Sequence, residues 1–329
     1  MRYASLFAGI GGFDLGFDRA GMTCATQVEI NKNSTKVLER HWPDTPRGED
    51  IHDVRGSDLG RPDVVAAGFP CKDLIVRKTG KRAGLAGKDS KLYWEFHRLV
   101  GEHLRLVDET RPRWTVLENT DGLLSSNAGR DLAAVVLALE NLGYGWAYRV
   151  VNSRDVGSAQ RRKRIVIVGH RGLDPRPAWE VLADRPTGGQ LAGIGEEPTD
   201  RERPGVRPGT GEGVRIWRRR ANARGKAAEG AYHAYEVASF YNTLASSDGP
   251  TPTMQKHLVE YPDGRIRGLT PIEWERLQGF PDDWTSPAAY SARYKALGDA
   301  MNVDLAHWLG RRLMETTAAV PMLTTPLTV

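Results

Sequence analysis

Apolar positions in the 329-residue chain come in short runs separated by stretches of helical period. The first run, Tyr3 to Phe7, breaks into the glycine turn "AGIGG" and then "FDLGFDRAG", which predicts a strand, a tight turn and a helix. A second run, "TCATQVEI", ends around Glu29 and leads into "NKNSTKVLERHW", where Val37 and Leu38 suit a helix packed on a sheet. "PDVVAAGF" is a third strand and delivers the turn at Pro70 and Cys71. In "KLYWEFHRLVGEHLRLVDET" the residues Leu92, Trp94, Phe96, Leu99, Val100 and Leu104 follow a roughly helical period. "RWTVLEN" reads as a strand, "AGRDLAAVVLALENLGY" as a helix, and "WAYRVVNS" and "KRIVIVGH" as two more strands. Strands that alternate with helices predict an α/β fold, a mostly parallel sheet covered by helices on both faces, with ligands at the C-terminal ends of the strands.

After about His170 the pattern changes, and the chain becomes dense in Pro, Gly and charge with little periodicity. Trp179, Leu182, Ile216 and Trp217 supply apolar anchors there, so the segment reads as a loop-rich module rather than disorder. Helical signals return at "TPIEWERLQGF", where Thr270 caps a helix with Pro271 first and Glu273 three residues on, and at "MNVDLAHWLGRRLMET". The expected organisation is a main domain over 1–169, the module over 170–265, a segment over 266–316 that returns to the main domain, and a frayed tail over 317–329.

Composition narrows the class. Two cysteines, Cys24 and Cys71, can build neither a disulfide framework nor a structural zinc site, which favours a reduced compartment. The N-terminus lacks an apolar core behind a basic start, and no run approaches the length of a membrane span, so the expectation is a soluble cytoplasmic protein. A formal charge of +5 is compatible with a polyanionic partner, and "RIWRRRANARGK" gathers six basic residues around one tryptophan.

Chemistry can be placed on the strand ends. In "FAGIGG" backbone N–H groups can approach a polar ligand, and Glu29 ends the second strand where a carboxylate can hold a ribose diol. The glycine spacing is not that of a pyrophosphate-binding turn, so a nucleoside cofactor without pyrophosphate fits better, with Asp50 and Ile51 near its adenine. Cys71 sits at a strand-to-loop exit followed by Lys72, Arg77, Lys78, Lys81 and Arg82, cations that favour the thiolate. Glu118 ends another strand, and "QRRKR" (Gln160 to Arg164) precedes an apolar one.

These residues carry a resemblance. "FAGIGG", "GFPC", "LEN", "QRRKR", "RGLTPIEWERLQGFPDDW" and "LGDAMNVDLAHW" stand in the order and spacing of the bacterial-type DNA (cytosine-5) methyltransferases, over nearly the whole chain. The resemblance implies the Rossmann-like S-adenosylmethionine-dependent methyltransferase fold, with the module at 170–265 as target recognition domain, and double-stranded DNA as partner of a monomer in a bacterial or phage-infected cell. It implies that Cys71 adds to C6 of a flipped cytosine, that Glu118 bonds the N3 and amino edge, and that Arg162, with Arg164 nearby, holds the O2 side; no metal is required. The cofactor S-adenosylmethionine would be held by Phe7, Gly9, Gly11, Gly12, Glu29, Ile30, Asp50, Ile51, Pro70, Lys72, Asp299 and Ala300. Arg77, Lys78, Lys81 and Arg82 in the loop, and Arg215, Arg218, Arg219 and Arg220 in the module, are the DNA-contact candidates; "GPTPTM" (Gly249 to Met254) is a short family element.

The chain departs from the family at Lys72, commonly Gln, and at Asp299, which replaces an amide, and the loop carries an apparent basic insertion. Together these permit a donor whose transferred group is anionic, carboxy-S-adenosylmethionine, with 5-carboxymethylcytosine as product and Lys72 holding the carboxylate. Two further readings compete: a DNA-binding protein that has lost turnover, and an RNA cytosine methyltransferase.

Overall fold

The computed structural model describes residues 1–70, 92–108, 110–158, 160–183, 215–219, 235–238, 241–244, 249 and 257–319. Cys71, Lys72, Arg77, Lys78, Lys81, Arg82, Arg220 and "GPTPTM" beyond its first residue lie outside these residues.

The chain opens with β1 (Arg2–Leu6), α1 (Gly12–Arg19), β2 (Thr23–Val28), α2 (Lys32–His41), β3 (Arg47–Gly48), β4 (Val64–Ala67), α3 (Tyr93–Leu106) and β5 (Trp114–Asn119). It continues with α4 (Arg130–Asn141), β6 (Tyr144–Asn152), β7 (Gln160–Arg161), β8 (Lys163–Arg171) and α5 (Arg176–Leu182). Seven strands form one sheet in the order β3-β2-β1-β4-β5-β8-β6. The five strands from β3 to β5 are parallel, and β8 inserts antiparallel between β5 and β6. About ten residues separate β6 from β8, too few for the helical crossover that a parallel neighbour needs.

Every residue of β4 and β5 is buried, as expected of strands covered on both faces. On one face Phe96, Leu99 and Val100 of α3 and Val135 and Leu139 of α4 join the core; on the other, Phe13 and Phe17 of α1 and Val181 of α5 do so. Trp94 falls on the outer side of α3, 42% exposed, because the inward positions go to Tyr93, Phe96, Leu99 and Val100.

Beyond the main sheet come β9 (Arg215–Arg219), β10 (Tyr235–Ala238), β11 (Tyr241–Asn242), β12 (His257–Glu260) and β13 (Ile266–Gly268). Four of these make an antiparallel sheet in the order β10-β9-β12-β13, while β11 pairs with β7. The chain then enters α6 (Pro271–Leu277), α7 (Tyr290–Asp299) and α8 (Val303–Ala319). Thr270 accepts from the Glu273 N–H and Glu273 reaches back to Thr270 N–H, the reciprocal cap read from the sequence.

Three expected boundaries shift. The main body extends past residue 170, because β8 runs to Arg171 and α5 packs Ala178, Val181 and Leu182 into the same core as α1 and α8. Trp179 is therefore no anchor of the module but points outward, 60% exposed. The returning segment begins after Gly268 rather than at 266, since β13 still pairs with β12. Helix α8 continues to Ala319, and Trp114 Nε1 donates to Thr317 Oγ1 at 2.9 Å, so the tail expected from 317 is anchored at its start.

Candidate active site

A cavity of about 520 Å³ opens at the C-terminal ends of β1, β2, β4 and β5 and is closed from the side by α7. It is where a parallel sheet presents its strand-end loops to ligands. Phe7, Gly9, Glu29, Ile30, Asp50, Ile51, Pro70, Glu118, Arg162, Arg164, Asp299 and Ala300 all line it.

At one end the main chain sets the geometry. Phe7 and Gly9 both take left-handed backbone, with φ of 56° and 58°. For the bulky Phe7 that conformation is strained, and it persists because the turn is tied on both sides. Ala8 N–H donates to Val28 O and Gly11 N–H to Ala8 O, each at 3.0 Å. A Cβ on Gly9 would meet nothing within 4 Å, so the turn shows the cavity bare backbone. Glu29 is held by two N–H donors, Gly9 to Oε2 and Asn31 to Oε1, both at 2.7 Å. Burial raises its pKa, and these two bonds oppose that rise. Asp50 accepts from the N–H and Nδ1 of His52, which lower its pKa, while Ile51 is buried and Ile30 stands exposed on the rim.

Gly11 and Gly12, expected with the cofactor residues, do not line the cavity. A Cβ on Gly11 would fall 2.5 Å from the Trp42 ring, and one on Gly12 2.3 Å from the Met301 carbonyl, so both are small to let α1 pack against α2 and the C-terminal segment. Trp284 Nε1 donates to Ile10 O at 2.8 Å and locks the same turn from the C-terminal side.

The other end is built from side chains. Glu118, at the end of β5, and Arg164, near the start of β8, face each other with Arg164 Nε 2.7 Å from Glu118 Oε1. Both side chains are nearly buried, so the pair is little screened by water. Gly68 leaves room for this carboxylate: a Cβ there would stand 3.4 Å from Glu118 Oε2. Asn119 Nδ2 donates to Phe69 O at 3.1 Å, which fastens the "GFP" turn to β5. Pro70, the residue before Cys71, is part of the cavity wall.

Arg162 and Arg164 divide their work differently from the sequence expectation. Arg162 is 2% exposed and spends its guanidinium on the carbonyls of Leu244, Gly298 and Ala300, clamping the end of α7. Arg164 is the arginine that meets Glu118. Arg215, Arg218 and Arg219 lie on β9, away from the main sheet. Lining residues that the sequence reading did not single out include Glu49, His52 and Lys295. The available signal for Lys295 was its position one helical turn before Asp299. Among the described residues no cluster of metal-ligating side chains occurs, and no helix is long and apolar enough to cross a membrane.

Comparison with known proteins agrees with this arrangement. Residues 1–315 match the family model described as C-5 cytosine-specific DNA methylase. The chain is 29% identical over 330 residues to the type II methyltransferase M2.BsuMI of Bacillus subtilis (strain 168), covering 97% of this chain and 77% of that protein. It is 28% identical over 334 residues to the type II methyltransferase M.NlaX of Neisseria lactamica, covering 97% and 98%. Among solved structures, S. pombe Dnmt2 methyltransferase superposes with a TM-score of 0.65 at 15% identity, covering 96% of this chain and 98% of that one, a likeness of fold. With the mixed seven-stranded sheet, the strand-end cavity and a family match over nearly its full length, the chain belongs to the C-5 cytosine-specific DNA methylase family and is a DNA (cytosine-5)-methyltransferase.

Proposed function

We propose that the chain methylates C5 of a cytosine flipped out of double-stranded DNA, with S-adenosylmethionine as donor and Cys71 as the covalent nucleophile. The observation that carries this reading is the Glu118–Arg164 pair on the wall that Pro70 shares, facing the end lined by Gly9 and Glu29. The donor's chemical contribution is an electrophilic methyl group on a sulfonium. The residues fit it: bare backbone at Gly9, a carboxylate at Glu29 fixed for a diol, and Asp50 beside the buried Ile51 for an adenine.

The Cys71 thiolate adds to C6 of the extruded ring, which makes C5 enamine-like. Glu118 bonds N3 and the exocyclic amino group, and Arg164, released toward O2, stabilises the charge that develops there. Arg162 acts by holding α7 and the Gly298–Ala300 turn in place. Loss of the C5 proton and expulsion of Cys71 complete the exchange. Arg215, Arg218, Arg219 and Arg220 and the loop cations Arg77, Lys78, Lys81 and Arg82 are assigned to phosphates and bases of the target duplex.

A carboxylate-bearing donor finds less support. Among the described residues Glu29, Glu49, Asp50 and Asp299 line the cavity, a concentration of carboxylates that suits a sulfonium better than an added negative charge. Nucleoside mass spectrometry of duplex DNA incubated separately with S-adenosylmethionine and its carboxy form tests both. The proposal expects 5-methylcytosine from the first and no adduct from the second; 5-carboxymethylcytosine as the main product would overturn it. Loss of all product in Cys71→Ala, with DNA binding intact, separates an enzyme from a silent binder, and transfer RNA offered in competition separates the RNA reading.

A further inference from the structure

We infer that the free edge of β6 is a docking surface for a second copy of the chain, joined across a two-fold axis at Tyr148, in place of the monomer that the resemblance implies. Strand β6 ends the seven-stranded sheet and, among the described residues, pairs with β8 alone. An open edge presents unpaired N–H and C=O groups to any further strand, and proteins blunt such edges with short strands, lysine, proline or a bulge. The opposite edge is blunted by length, since β3 has two residues. Nothing of the kind protects β6. Its nine residues, "YGWAYRVVN", contain no Pro and no Lys and keep an unbroken register with β8. The strand's one charged side chain, Arg149, is drawn to the Leu182 carbonyl at 2.8 Å.

The edge is also apolar. Nine large apolar side chains stand exposed among the described residues. Tyr148 and Val150 lie on β6 itself, Leu137 and Trp179 lie on α4 and α5, the helices that pack against it, and Leu173 belongs to the turn that closes over Gly145. Apolar residues scattered singly need no explanation, but five of the nine gathered around one strand mark a contact surface. Trp146 extends the patch, its ring stacked 6.2 Å from that of Tyr148. The strand also complements itself. Tyr148 is its middle residue, so antiparallel pairing about Tyr148 uses all nine residues. Trp146 then stands opposite the partner's Val150, an aromatic against a β-branched side chain, and Arg149 stands opposite the partner's Ala147, so no like charges meet. Pairing of this kind is isologous and closes at two copies. Because β6 runs parallel to β1, β4 and β5, whose C-terminal ends open on the cavity, the antiparallel join turns the two cavities to opposite ends of one continuous sheet. Each cavity then meets a duplex of its own.

Sedimentation velocity of the full chain over roughly 1 to 100 µM tests this. The mass is expected to rise from 36.4 kDa toward twice that value. Tyr148→Lys sets two like charges on the axis and is expected to raise the dimer's dissociation constant at least about tenfold, with the circular dichroism spectrum and the methylation of DNA by dilute enzyme unchanged. In a Cys71→Ser background, Tyr148→Cys is expected to give a disulfide-linked dimer on mild oxidation, whereas Glu39→Cys, exposed on α2 away from β6, is not. The inference is overturned by a chain that stays at 36.4 kDa throughout, which leaves the patch to another part of the same chain or to a different protein. It is equally overturned by a dimer that Tyr148→Lys leaves intact or that Tyr148→Cys does not link, which places the contact on another face.

Discussion

The two ends of the cavity are built on different principles. At the cofactor end, Glu29 and the Phe7–Gly9 turn are fixed by main-chain hydrogen bonds to β2 and the Asn31 cap, so their geometry exists before a ligand arrives. At the cytosine end, Glu118 and Arg164 hold each other through one side-chain ion pair. Under the proposed function an incoming base takes over both partners. On the proposed function, the contrast teaches that the donor meets a preformed surface, whereas the base meets two groups that trade an internal contact for an external one.

That contrast can be broken or sharpened by substitution. Replacing Cys71 by Ser should cost at least about 10⁴-fold in kcat, since removing a nucleophile disables the unit, with donor affinity unchanged by titration. A loss in kcat of about 10³-fold is expected for Glu118→Gln, again without change in the donor's Kd, if the carboxyl serves proton and hydrogen-bond chemistry on the base. The arginines should separate. Arg164→Lys is expected to lower kcat about 10²-fold at wild-type thermal stability. Arg162→Met should instead lower the melting temperature, because it strips donors from three buried carbonyls. Equal behaviour of the two would remove the division of labour drawn between them. At the cofactor end, Glu29→Gln should raise the donor's Kd about tenfold and leave kcat at saturation near wild type, because its effect is on binding.

The smallest effect lies beneath the cofactor turn. Asp14 is fully buried, accepting from Ser5 Oγ at 3.0 Å and Gln27 Nε2 at 2.9 Å, with Cys24 Sγ at 3.6 Å. Burial pushes its pKa up to about 6 from 3.8. A carboxyl with a raised native pKa adds stability that is complete below the unfolded value and lost as pH rises through the native one. The difference in unfolding free energy between wild type and Asp14→Asn should therefore move in favour of wild type by about 1 kcal/mol from pH 7 to pH 5. Denaturant titrations at the two pH values measure it, and a flat difference contradicts the assignment.

Much of this was legible in the residues. The alternation of runs such as "VVAA" and "WTVLEN" with helical stretches gave the layered sheet, and the strand ends gave Glu29, Glu118 and Pro70 their place at one cavity. What escaped has physical causes. The direction of β8 depends on the length of its connection rather than on its composition, since a buried strand reads alike in either orientation. The second sheet is made of strands of three to five residues in a charged, proline-rich region, too short for a period to register. Helix α7 was overlooked because "YSARYKALGD" has little apolar contrast between its faces, and Lys295 went with it. Gly11 and Gly12 look like ligand glycines in one dimension, and only the approach of Trp42 and Met301 shows that packing requires them. Arg162 and Arg164 are two apart and would share a face in one continuous strand; the break between β7 and β8 at Arg162 sends one guanidinium to carbonyls and leaves the other to Glu118, which the residues alone do not reveal.

The central claim is a bond between the sulfur of residue 71 and carbon 6 of an extruded cytosine. Incubating the enzyme with a duplex carrying 5-fluorocytosine at its methylation site and S-adenosylmethionine tests it most directly, because fluorine cannot leave as the C5 proton does. The account predicts a one-to-one protein–DNA complex that survives denaturing electrophoresis and whose linkage maps to Cys71 by peptide mass spectrometry. An unlinked enzyme that still methylates ordinary duplex, or a linked complex formed by Cys71→Ala, would contradict it.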